Sequence, residues 1–140
     1  HVGMPVLVKA VRGYAGTGTE ALARKDRTFT QTENAAHRTD HAVMGAIVAR
    51  TWHLPPDVAQ AIWLHHDFSC LSDERFDATV RHLVALGLLA EYLVHHHENL
   101  TPTREWTLHG QACMDHLYVT QDELNHWIDE LYPAFEAVAL

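Results

Sequence analysis

Apolar residues along the chain recur at helical rather than alternating spacing, and no Asn-Gly or Asp-Gly turn separates short β-branched runs. The pattern predicts an all-α protein. The opening run Met4, Val6, Leu7, Val8, Ala10 and Val11 suits a buried helix, with Pro5 tolerated in its first turn. Gly13, Gly16 and Gly18 are expected to end it. A short helix is expected over residues 19–26, followed by a polar connector from Thr28 to Thr32 that leads to Glu33.

From Asn34 to Trp52, the residues His41, Met44, Gly45, Val48 and Trp52 fall on one face of a predicted helix. His41 thus lies in line with an apolar stripe. Pro55 and Pro56 open the next helix, where Val58, Ala61, Ile62 and His65 share a face. Ser72, ahead of Asp73 and Glu74, reads as the N-cap of a long helix through Phe76, Val80, Leu83, Val84, Gly87 and Val94, with Glu91 on the same stripe. After the polar stretch from Asn99 to Arg104 a helix is expected near Leu108 to Leu117. Thr120 and Glu123 form the capping box of the last helix, whose buried face is Leu124, Trp127, Ile128 and Leu131.

With 140 residues, 47% of them hydrophobic, the chain can bury one sizeable core. No internal repeat or dividing linker interrupts it, so residues 1–140 are expected to form a single helical domain. No apolar run approaches the roughly 18 to 20 residues that a membrane span needs, and no basic-then-apolar leader opens the chain, which points to the cytoplasm. Cys70 and Cys113, without paired spacing, read as reduced thiols. A formal charge of −8 disfavours a nucleic-acid partner, because such binding needs Lys and Arg to neutralise phosphates. Histidine alters this picture in acid: protonating all thirteen takes the charge from −8 to +5.

Three predicted helices each place a possible metal ligand, His41, His65 and Glu91, among inward-facing residues. Imidazoles and carboxylates from several helices could together hold iron, manganese or magnesium, activate a water and clamp a phosphoryl oxygen. His37 and His41 stand four apart, a spacing that can chelate zinc from one helix face, but the Glu beside the first His of a zinc protease is missing. His95, His96 and His97 fall near a helix end and are expected to be solvated. No cysteine or serine sits in a setting that marks a nucleophile. The four tryptophans, Trp52, Trp63, Trp106 and Trp127, are expected in core packing.

In order and spacing, Thr39-Asp40-His41-Ala42-Val43-Met44-Gly45, then Trp52-His53-Leu54-Pro55, then Ala61-Ile62-Trp63-Leu64-His65-His66, resembles the signature of the HDOD domain, a degenerate relative of the HD metal-dependent phosphohydrolases. His41, Gly45, Trp52, Leu54, Pro55, His65 and His66 carry the match. His1-Val2-Gly3-Met4 resembles the residues just after the first His of the founding motif, with His1 where an Asp would stand, and Val84 to Leu93 is similar to the helix bearing the last metal-binding Asp, with Glu91 in that place. The resemblance implies an HD-domain-like helical bundle, here lacking its N-terminal part. Active relatives of the HD-GYP kind continue the double His with Glu and a Gly-Tyr-Pro segment, whereas His65-His66 runs into Asp67-Phe68-Ser69-Cys70. That difference argues against cyclic dinucleotide hydrolysis.

A lone His on an apolar face is ordinarily a satisfied core residue, and Glu91 is expected to pair with such a His or with Arg81 rather than ligate. The resemblance therefore implies a non-catalytic bacterial signal-transduction and regulatory module, with no cofactor, that contacts a protein partner or an adjacent signalling domain. Its remnant site would be His41, His65, His66 and Glu91. The alternative is a metal-dependent phosphohydrolase of the HD superfamily using iron or manganese at those residues. A third class, metal buffering, would spread weak sites over His37, His95 to His97 and His109.

Overall fold

The computed structural model describes residues 1–138, which form eight α-helices and one 3₁₀ turn with no strand among them. The all-α, HD-like expectation holds. The chain divides into two compact units, His1–Asp67 and the part from Phe68 onward.

The first unit contains α1 (Gly3–Ala10), α2 (Tyr14–Ala23), α3 (Phe29–His37), α4 (His41–Thr51) and α5 (Pro56–Leu64). Helix α1 buries only Gly3 and Leu7 and leaves Val8 exposed, so the opening run is half surface rather than a core helix. The three glycines do not end it together. Gly13, at φ +82°, makes the left-handed turn into α2. Gly16 and Gly18 continue within α2, whose stripe of Tyr14, Thr17 and Ala21 anchors it, so the short helix begins at Tyr14 rather than at residue 19.

The expected connector is itself helical. Thr28 accepts from the backbone N–H of Gln31 while the Gln31 side chain accepts from that of Thr28, a complete capping box that starts α3. The single helix expected from Asn34 is two helices. Arg38 closes α3 in the left-handed region, and the Asp40 carboxylate accepts from the backbone N–H of Val43 to start α4 afresh. His37 and His41 consequently lie on different helices and share no face. His37 pairs with the Thr17 hydroxyl at 2.8 Å instead.

Helix α4 packs on both α1 and α5. Small residues permit the approach: Ala42, Ala49, Ala59 and Ala61 are all buried. A Cβ on Gly3 would stand 2.0 Å from the carbonyl oxygen of His41, and one on Gly45 would stand 2.9 Å from Ile62. Backbone contact with α1 on one side and close packing with α5 on the other make α4 the centre of this unit. Trp52 and Trp63 are 65% and 51% exposed, against the expectation of core packing.

The second unit opens with the 3₁₀ turn Phe68–Ser72 and continues with α6 (Ala78–His97), α7 (Arg104–Leu117) and α8 (Gln121–Val138). Ser72 ends the turn rather than capping α6. Asp77 takes that role by accepting from the backbone N–H of Thr79. The buried stripe of α6 is Val80, Val84, Ala85, Leu88 and Leu89, leaving Gly87 and Val94 exposed. Leu89 meets Met114 and Leu124 in a core flanked by Tyr92, Trp106, Trp127 and Ile128. Trp106 stacks on Tyr92 with ring centroids 4.0 Å apart. Helix α7 starts earlier than expected because Thr103 caps it, and the Thr120–Glu123 box opens α8 as the sequence predicts. Cys70 and Cys113 are buried free thiols, and burial, then the neighbouring Cys70, push the Cys113 thiol up to about 11. No helix among the described residues is long and apolar enough to cross a membrane.

Candidate metal centre

The close approach of α1 to α4 and of α4 to α5 brings four imidazoles together. His1 precedes α1, His41 opens α4, and His65 and His66 directly follow α5. One ring nitrogen from each lies within 4.8 Å of all the others, the group among the described residues that could hold a metal ion. His41 Nε2 is 3.0 Å from His1 Nδ1 and 2.9 Å from His66 Nε2, and His65 Nε2 is 3.2 Å from His1 Nδ1. His41 is buried, His65 and His66 are half-buried, and His1 is exposed, so the cluster opens to one side.

A buried polar chain stands behind His41. Its Nδ1 donates to Glu33 Oε2 at 2.7 Å, with both side chains fully buried. Tyr14 donates a short hydrogen bond to the other carboxylate oxygen. Burial alone would raise the Glu33 pKa, but the hydrogen bonds from His41 and Tyr14 more than offset that and hold it below the ordinary carboxylate value. Burial, the Glu33 hydrogen bond and the Glu33 charge all push the Tyr14 phenol up. Glu33 is therefore an ionised acceptor at neutral pH, and the imidazole atom facing it carries the proton. His41 Nε2, on the other side of the ring, presents its lone pair to the cluster when the ring is neutral. The edge of Phe29 covers the same ring, with centroids 5.5 Å apart.

His65 is oriented in the same sense by a different group. Its Nδ1 lies 2.6 Å from the carbonyl oxygen of Ile62, an atom that can only accept, so the proton again sits on Nδ1 and Nε2 faces inward. Burial, then the neighbouring His66, push the His65 pKa down to about 3. This imidazole is neutral at physiological pH.

Of the residues singled out by sequence, the structure joins His41, His65 and His66 and adds His1. Glu91 lies half-buried on α6, in the second unit. Two of the triple His depart from the expectation of solvation, while His96 is exposed as expected. His97 is mostly buried, with Nε2 3.5 Å from Glu136 and its ring against Tyr132 and Phe135 on α8, and His95 is half-buried. Sequence reasoning missed Glu33 and Tyr14 as members of the site. Glu33 stands eight residues before His41 across a helix break, and Tyr14 a further nineteen back, so no single-helix periodicity links them.

Comparison with known proteins gives one family. The model described as the HDOD domain matches residues 1–68, which span the whole first unit and include all four cluster histidines. The match ends before Val84 to Leu93. No curated protein and no solved structure matches the chain significantly.

Proposed function

We propose, given that residues 1–68 belong to the HDOD family, that the protein is a cytoplasmic bacterial signal-transduction module of the HD superfamily that binds and does not cut. The observation that carries this reading is the chemistry of the cluster. Its four converging groups are imidazoles, where a phosphohydrolase needs an open metal position and a base to activate water. Glu33, the carboxylate behind His41, has both oxygens engaged, one by Tyr14 and one by His41. It supports a ligand and is not placed to take a proton from water.

On this reading, occupancy of the pocket is coupled to contacts with a protein partner or an adjacent signalling domain. The net charge of −8 favours such a partner over nucleic acid. The rival reading, a metal-dependent phosphohydrolase using iron or manganese, draws on the same convergence of histidines.

Bis-phosphodiester hydrolysis decides between them. It is measured on the wild type and on a His65→Ala, His66→Ala double variant after iron and manganese supplementation. Equal background rates in both are expected. Turnover in the wild type that the double variant loses would establish the hydrolase instead.

A further inference from the structure

We infer that the cavity at the C-terminal end of α6 is a docking site for a protein partner, and that it takes an arginine side chain carried on a basic segment of that partner. The site belongs to the second unit and is independent of the histidine cluster.

Charge selects the sign of the occupant. Residues 1–67 carry seven Lys or Arg against six Asp or Glu, whereas residues 68–140 carry three against twelve. The net charge of −8 therefore belongs to the second unit. Arg104 is the only Lys or Arg that follows Arg81 in the sequence. A surface of this sign draws cations and repels carboxylates and phosphates.

The shape suits one side chain. The cavity measures about 220 Å³ and is lined by Tyr92, His95, His96, Asn99, Leu100 and Pro102, whereas pockets for drug-sized ligands run roughly 300–1,000 Å³. Its rim is fixed by the way α6 ends. Asn99 adopts φ 56°, its N–H donates to the His96 carbonyl at 3.1 Å, and the Leu100 N–H donates to the His95 carbonyl at 2.9 Å. This is a Schellman closure, so the rim is ordered before any ligand arrives. Tyr92 is fixed as well, because Trp106 stacks on one of its faces.

The wall chemistry favours arginine among cations. A guanidinium is planar and weakly hydrated and stacks on an aromatic ring, where an ammonium of lysine keeps its water more firmly. Tyr92 is half-buried, so part of its ring remains open to such a contact. The negative end of the α6 dipole lies at the same place and favours positive charge. Exposed Glu98 stands next to Asn99 in the chain. Leu100 is 50% exposed and gives the rim an apolar contact for the residues that flank the arginine. A free amine has no use for that contact, whereas a peptide does.

The test titrates the full ¹⁵N-labelled chain at pH 8 with N-acetyl-argininamide, its lysine counterpart, its uncharged citrulline counterpart and a capped Leu-Arg-Leu peptide. Saturable shifts are expected at the backbone amides of His96, Asn99 and Leu100, with affinity falling from the peptide through arginine and lysine to citrulline. Tyr92→Leu is expected to weaken the peptide about 5- to 30-fold. His96→Lys, at an exposed position that leaves the core intact, should also weaken it and serves if Tyr92→Leu does not fold. Arg104→Gln, which removes the one nearby cation in the sequence, should tighten it. No saturable shift at these amides, or equal affinity for citrulline and arginine, would overturn the site. Shifts spread over the acidic residues of α8 that survive both weakening variants would do the same, as the mark of diffuse charge attraction. A peptide that binds no more tightly than N-acetyl-argininamide would overturn the assignment to a protein partner.

Discussion

Glu33 has no exposure, and each carboxylate oxygen meets a hydrogen-bond donor. Glu33→Ala would leave the Tyr14 hydroxyl and His41 Nδ1–H buried without an acceptor, and removing one partner of a buried pair costs roughly 3–5 kcal/mol. Urea unfolding is expected to show a loss of that size. Two groups of the site contribute to the pH dependence of stability. The folded pKa of Glu33 is depressed, so its contribution is complete above the unfolded carboxylate value and is lost as pH falls through the folded one. His65 is also depressed, to about 3. Between about 6.5 and 3 the unfolded chain holds a proton that the folded chain refuses, and stability falls with falling pH by up to about 1.4 kcal/mol per unit. Denaturation of chelator-treated protein at several pH values checks this, and His65→Asn should flatten the slope above pH 5. Gly3 is a steric case. Gly3→Ala drives a methyl into the His41 carbonyl oxygen at 2.0 Å and is expected to cost at least ~1–3 kcal/mol, read by the same unfolding experiment.

Helix boundaries obey capping chemistry more closely than apolar periodicity. The Thr120–Glu123 box was legible because both partners sit at a fixed local spacing, and the start of α5 was legible from Pro55 and Pro56. The break between α3 and α4 was not. An apolar stripe continues through Asn34 to Trp52, while the interruption depends on Arg38 adopting φ 56° and on Asp40 capping Val43. Asp40 does more than cap, since it also accepts from the Asn34 side chain and so ties the end of α3 to the start of α4. Asp40→Ala is expected to cost about 1–2 kcal/mol, measured by thermal or urea unfolding, and Asp40→Asn, which keeps an acceptor, should cost less. The same local accounting explains α6, whose cap is Asp77 rather than the expected Ser72. His41, His65 and His66 were legible because each occupies a recognisable motif. Glu33 and Tyr14 were hidden because their contacts form only after three helices have folded.

Histidine dominates the titration of the whole molecule. The sequence pI is about 5.8, and adding protons to all thirteen histidines carries the formal charge from −8 to +5. Electrophoretic mobility is expected to reverse near pH 5.8, with solubility lowest there. His65 should stay neutral down to about pH 3, and proton NMR of its ring resonances would show that directly. The tryptophans give the two units separate optical labels. Trp52 and Trp63 lie in the first unit and are more than half exposed, whereas Trp106 and Trp127 flank the core of the second. Collisional quenchers such as iodide should extinguish the red-shifted emission of the first pair and spare much of the second. With paired phenylalanine variants, fluorescence can then track the melting of each unit independently within one intact chain.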